Sequence, residues 1–108
     1  IVLLGDFNAR TGARSQTRHR VSPDDRVCAR GNDLLRLCES HNMEVVNGTA
    51  THLPSTRMRF TSYQPNGSSV IDYAIVSGHL VDEGALRSLS VRPHYPLRSD
   101  HAPLALEF

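Results

Sequence analysis

Apolar positions along the chain fall into short runs separated by polar loops, and the runs change period from one part to the next. Ile1-Val2-Leu3-Leu4 is continuously apolar, the pattern of a strand covered on both faces. It ends at Gly5-Asp6, and a polar, Arg-rich stretch follows to about Arg30. A loop of that length beside a polar motif is more often functional or mobile than structural. From Asn32 to His41 the positions Leu34, Leu37, Cys38 and His41 recur at helical spacing, and Leu35 widens the stripe. Asn32 or Asp33 is placed to cap the first turn. Met43 to Val46 reads as a strand, and Met58 to Tyr63 alternates as another. Gln64-Pro65-Asn66-Gly67 is a hairpin signal, with Ser69 to Val76 expected as the partner strand. Gly78 to Gly84 can hold a short helical turn, Leu89 to Arg92 a strand, and Ala102 to Phe108 a closing strand. The sum is an α+β domain of mostly antiparallel sheet with one covering helix. Repeats and low-complexity tracts are absent from the sequence.

Three acidic motifs interrupt this pattern in a fixed order: Gly5-Asp6-Phe7-Asn8, Ser69-Val70-Ile71-Asp72-Tyr73 and Ser99-Asp100-His101-Ala102-Pro103-Leu104. Each puts an Asp at or near the end of an apolar run. A carboxylate there has little reason to exist unless it is paired, caps the backbone or binds a cation. Asp6 with Asn8 also fits a strand-to-loop turn in which both side chains cap backbone donors. Asp100-His101 also fits a loop with a satisfied His. Asp72 is harder to dismiss, because it breaks the apolar run from Val70 to Val76. Alternation puts it on the same face as Val70 and Ala74, where an unpaired carboxylate is costly. Asp and Asn oxygens suit Mg²⁺ or Mn²⁺. A His that donates to phosphate needs a carboxylate behind its other nitrogen. Together these residue types point to a metal-dependent hydrolytic site.

Composition adds limits. The net charge is +1, so no strong global field draws in nucleic acid. All twelve basic residues are Arg. Arg10, Arg14, Arg18 and Arg20 follow the first motif and offer bidentate forks for a phosphate backbone, but codon bias in a GC-rich genome is the better account of an all-Arg composition, since Arg also occurs far from the motifs. Cys28 and Cys38 lack zinc-site spacing; Cys38 falls on the apolar side of the helix, where a buried thiol is the ordinary reading. No stretch reaches the 18 or so apolar residues of a membrane span. Asn47 reads as a turn residue with Gly48, Asp24-Asp25 as a solvated loop pair, and Tyr63, Arg59 and Ser99 as packing, solvated and capping residues rather than nucleic-acid contacts. His19, His41, His52, His79 and His94 have no ligand-like spacing.

The three motifs, in this order and across nearly the full chain, resemble the second half of the endonuclease/exonuclease/phosphatase superfamily. Arg30-Gly31-Asn32-Asp33-Leu34-Leu35, Val46-Asn47-Gly48-Thr49 and Arg59-Phe60-Thr61-Ser62 resemble the retrotransposon type that also carries a reverse transcriptase. The resemblance implies half of a four-layer α/β/β/α sandwich, with residues 1–108 as the C-terminal part of the domain and a first half preceding Ile1. It implies an Mg²⁺- or Mn²⁺-dependent DNA endonuclease acting on the phosphate backbone. Asp6 would polarise the attacking water, Asn8 would contact the phosphate, Asp72 would partner His101, and Asp100 would serve the metal with Asp6. The main metal-binding Glu of the family has no counterpart here: Glu39 and Glu44 stand in no matching motif. The missing half, and a reverse transcriptase domain in the parent protein, are the partners implied; no membrane is. An intracellular setting, the nucleus included, is favoured. A non-catalytic remnant, or a phosphatase or phospholipid phosphodiesterase of the same superfamily, would carry the same motifs. Half of a sandwich would also expose an apolar sheet face.

Overall fold

A computed structural model describes residues 1–15, 18–49, 59–95 and 99–108. His52 and Met58, the start of one expected strand, lie outside them. In chain order the elements are β1 (Val2–Asp6), α1 (Ala29–Ser40), β2 (Met43–Val45), β3 (Ser62–Gln64), β4 (Gly67–Ser69), β5 (Asp72–Ser77), α2 (Gly78–Asp82), β6 (Ser88–Val91) and β7 (Leu104–Glu107). β5 runs between β1 and β2, while β3–β4 and β6–β7 form separate two-stranded ribbons, and every pairing is antiparallel.

The alternation of β5 builds the layers. Tyr73 and Ile75 join Leu34, Leu35 and Cys38 of α1 in one apolar cluster, and Ala74 and Val76 join Leu86 and Leu89 with Leu104 and Leu106 in the other. A helix, a sheet and a second ribbon thus stack over one another, an α+β arrangement consistent with part of an α/β sandwich. Tyr73 is fully buried, and its hydroxyl lies within hydrogen-bond distance of the Ala9 and Val70 carbonyls (2.7 and 2.8 Å) and of the Thr11 N–H (3.1 Å). It therefore ties the loop after β1 to the start of β5.

Several expectations need correction. The run Ser69 to Val76 is not one strand paired with β3. It breaks at Val70-Ile71, so that β4 pairs with β3 and β5 leaves for the main sheet. The ladder ends because its donors are diverted: Val70 N–H goes to the Asp24 carboxylate (2.9 Å), and Ile71 and Asp72 N–H both go to Thr61 Oγ1 (3.0 and 3.1 Å). Val70 consequently packs in the helix-side cluster, and Asp72 keeps only Ala74 as the expected companion on its face. The hairpin closes at Gln64 and Gly67, so the two loop residues are Pro65 and Asn66, with Gly67 at φ +144°.

Helix α1 begins three residues before Asn32, with Cys28 as its N-cap and no side-chain cap bond. Its first turn lies directly on the chain at Arg10: a Cβ on Gly31 would meet the Arg10 carbonyl oxygen at 1.9 Å. Leu37 and His41 face outward while Leu34, Leu35 and Cys38 are buried. Strand β1, expected to be covered on both faces, pairs with β5 alone among the described residues, leaving Val2, Leu3 and Leu4 42, 41 and 50% exposed.

The Arg-rich loop is tied down rather than presented outward. Asp24, expected in solvent, is buried against the Arg10 guanidinium (2.9 and 3.0 Å) and the N–H groups of Val70 and Arg26. Burial pushes its pKa up, but those hydrogen bonds outweigh it and hold the carboxyl below its ordinary value. Arg20 is buried and donates to the Asn47 carbonyl (2.7 Å) and Thr11 Oγ1 (3.2 Å). Arg18 pairs with Asp82, and Arg14 donates to Asn32 Oδ1. All four arginines that offered forks for a phosphate backbone make polar contacts within the fold.

Replacing Tyr73 by Phe keeps the ring and strips the loop and β5 of their shared hydroxyl. Chemical denaturation should show a loss of about 1–3 kcal/mol, the cost of leaving buried polar groups unpaired. A variant as stable as the parent would show that the hydroxyl ties nothing.

Candidate active site

The site begins with strand register. Ser77 N–H donates to the Ile1 carbonyl and Phe7 N–H to that of Ile71, both at 2.9 Å, so the odd-numbered residues of β1 face β5 with their backbone groups. Asp6 and Asp72 stand directly opposite each other as a non-hydrogen-bonded pair, the closer kind, with Cα atoms typically about 4.5 Å apart. Two carboxylates so placed repel. Asp72 is buried and Asp6 is exposed.

His101 sits between them. Its Nδ1 is 2.8 Å from Asp72 Oδ2, and its Nε2 is 3.8 Å from Asp6 Oδ2. The first is a hydrogen bond, in which Nδ1–H donates to the carboxylate. The second is a charge contact. Bonding to Asp72 raises the His101 pKa above its ordinary value; partial burial opposes the rise, and the charges of Asp72, Asp6 and Asp100 add to it. The imidazolium form neutralises part of the repulsion between the two Asp side chains.

The ring is delivered by β3, which grips the chain on either side of it. Tyr63 N–H donates to the Asp100 carbonyl (2.7 Å), Ala102 N–H donates to the Thr61 carbonyl (2.9 Å), and Ser62 bridges to His101. Two residues outside the three acidic motifs complete the frame. Thr61 is fully buried; besides receiving Ala102 it holds the backbone N–H of Asp72, so one residue positions both partners of the Asp72–His101 bond. Asn47 uses its amide as a substitute strand: Nδ2–H donates to the Asp72 carbonyl (3.0 Å) and Oδ1 accepts from Ala74 N–H (2.9 Å), extending the edge of β2 past Val45. The signal at Asn47 was a short polar side chain at the end of an apolar strand pattern, shared with ordinary turns; Thr61, inside an expected strand, carried none.

Asn8 follows Asp6 at φ +49°, and its N–H donates to Asp6 Oδ1 (2.8 Å). Asp6 therefore caps the turn with one oxygen while the other points to His101. The side chain of Asp100 accepts instead from Gln64 Nε2 (3.1 Å). Ser99 Oγ accepts from His101 N–H (3.0 Å), the capping role. Asp6, Asp72 and His101 each present one ligand atom, all within 4.8 Å of one another, a group able to hold a cation. The donor chemistry fits a hard divalent ion at Asp6, whose exposed carboxylate has an oxygen to offer; such an ion commonly takes one or two protein carboxylates and fills its shell with water and phosphate oxygens. Asp72 is less free, since its Oδ2 is committed to His101.

The family described as endonuclease-reverse transcriptase matches residues 1–105. The chain belongs to that family. It is an endonuclease-type domain of the retrotransposon kind within the endonuclease/exonuclease/phosphatase superfamily, and all three acidic motifs fall within the matched span. No curated protein and no solved structure gives a significant match. Among the described residues of this endonuclease-reverse transcriptase chain, no helix is long and apolar enough to cross a membrane.

NMR titration of the imidazole signals should place the His101 pKa above the ordinary histidine value, and Asp72→Asn should bring it back down. The sign follows from linkage: a group whose folded pKa is raised adds stability below its unfolded pKa, and that stability is lost as pH rises through the folded value. An unchanged titration in Asp72→Asn would rule out the bond as the cause.

Proposed function

We propose that this chain carries the C-terminal share of a divalent-metal-dependent DNA endonuclease site, and that residues 1–108 are the C-terminal part of its domain. The observation that supports this best is the Asp6–His101–Asp72 group, a carboxylate, an imidazole and a second carboxylate held by β1, the segment before β7 and β5. Phosphodiester hydrolysis needs a polarised water and a cationic donor for the charge that builds on the phosphoryl oxygens.

Asp6 is the group that orients the water and draws on its proton. Its side chain is exposed, and its Oδ1 is fixed by the Asn8 N–H. His101 supplies the cationic N–H toward the phosphate, and Asp72, bonded to Nδ1, keeps the ring in the tautomer and orientation that leave Nε2 outward. Asn8, exposed at the tip of the same turn, contacts the phosphate. Asp6 would hold the Mg²⁺ or Mn²⁺, with the negative charge of Asp100 close by, and the ion would neutralise phosphate charge and lower the pKa of bound water. The exposed apolar faces of β1 favour a complementary first half of the same domain as the partner, which would also bring the family's main metal-binding Glu. A reverse transcriptase domain in the parent protein would use the nicked strand.

The test is Mg²⁺-dependent nicking of supercoiled plasmid by the chain, alone and with the preceding half of the domain supplied. Asp6→Ala and His101→Ala should each lower the rate about 10²–10⁴-fold, the usual share of a positioned acid or base. Cleavage that survives both substitutions would refute these roles. A folded complex that never nicks DNA would favour a non-catalytic member of the family.

A further inference from the structure

The segment Ser99–His101 is held by a row of three consecutive peptide groups. The peptide after His101 donates through Ala102 N–H to Thr61, and the one before it accepts at the Asp100 carbonyl from Tyr63 N–H. Both grips come from the backbone of the β3 region. The next peptide back, at the Ser99 carbonyl, is gripped by a side chain: His94 Nε2 lies 2.6 Å from that oxygen. A carbonyl only accepts, so Nε2 carries the proton. The His94 ring also lies parallel on Tyr63, with centroids 4.3 Å apart and 10° between planes, and Tyr63 in turn meets Phe60 edge-on at 6.3 Å.

We propose that His94 is a positioning residue for the candidate active site: its Nε2–H and its stack on Tyr63 hold the chain just before His101, so that the imidazole reaches Asp72 and Asp6. The proposal rests on the phosphodiesterase reading only in what it says about turnover; the clamp itself is a property of the fold. Besides it, the described residues of this stretch keep Ser99 N–H to the Tyr95 carbonyl at a long 3.3 Å, His101 N–H to Ser99 Oγ, Tyr63 N–H to the Asp100 carbonyl, and the Asp100 side chain's bond to Gln64. None of these engages the Ser99 carbonyl. His94 lies outside the three acidic motifs and has no ligand-like spacing, and its role comes from contacts alone.

Two variants separate the N–H from the ring. His94→Phe keeps an aromatic face for Tyr63 and removes the donor; His94→Gln keeps a donor at about the reach of Nε2. Amide hydrogen exchange of the full chain, followed by NMR, reads the clamp at Tyr63, His101 and Ala102, with Ala74 N–H, bonded to Asn47, as the reference for global opening. His94→Phe should speed exchange at the three clamp amides about tenfold, as expected for one lost hydrogen bond, with Ala74 unchanged and His94→Gln within a few-fold of the parent. In the nicking assay, kcat should fall in His94→Phe with KM unchanged, and His94→Gln should recover most of it. Clamp amides that exchange at the parent rate in His94→Phe, a parallel rise at Ala74, or His94→Gln as fast as His94→Phe would each overturn the proposal. A chain that nicks nothing while its amides respond as expected would sink the nuclease reading and leave the clamp standing.

Discussion

Directly opposed carboxylates on neighbouring antiparallel strands are the constraint around which this molecule is arranged. The β1–β5 register forces Asp6 and Asp72 together, and like charges at such positions oppose strand pairing. The main sheet tolerates them because a third segment, from just before β7, carries an imidazole to the gap and shares a proton with the buried member. Pairing, capping and cation binding were the three ways a carboxylate can rest at the end of an apolar strand. Asp72 uses the first, and Asp6 uses the second with one oxygen, leaving the other available for chemistry.

The cost of that arrangement appears in the backbone. β5 cannot continue β4, because the N–H groups of Val70, Ile71 and Asp72 turn to Asp24 and Thr61. The break frees Asp72 from the hairpin and lets β3 grip the His101 segment instead. On the other edge, the Asn47 amide replaces a strand residue beside Asp72. The pair between half-buried Arg10 and buried Asp24 belongs to the same scheme: it places the loop after β1 and, through Val70, the start of β5. Arg10, Arg14, Arg18 and Arg20 each make at least one polar contact within the fold.

Much of the fold was legible because local pattern and burial agree there. Leu34, Leu35 and Cys38 mark a helix stripe, the Pro65-Asn66-Gly67 turn marks a hairpin, and the apolar runs at Leu89 and Leu104 mark the paired ribbon. The α1 start was misplaced because tertiary contact at Gly31, rather than a capping side chain, decides it. The split at Val70-Ile71 was invisible because it depends on acceptors 10 and 46 residues distant in sequence. For the site, the chemical types were readable at Asp6, Asn8, Asp72, Asp100 and His101, but their grouping came from the resemblance and not from spacing. Thr61 and Asn47 act through backbone groups, and Asp24 is buried by partners in other elements, so no local pattern distinguishes them from turn and loop residues.

Asp6 stands on the least covered strand of the sheet, with ladder bonds on one side alone among the described residues. Asp72 and His101 are held from several directions, whereas the position of Asp6 depends on β1 staying registered on β5. A one-residue slip would turn Asp6 to the α1 face and bring Gly5 or Phe7 opposite Asp72. Part of the resistance to slipping comes from Tyr73, whose hydroxyl anchors Ala9 and Thr11 just beyond the strand. The exposed side chains of Val2, Leu3 and Leu4 add less than their apolar character would permit. Any surface that buries them stabilises the register and with it the distance from Asp6 to His101. The apolar run that opens the chain and the carboxylate that ends it are therefore coupled: covering the first sharpens the second.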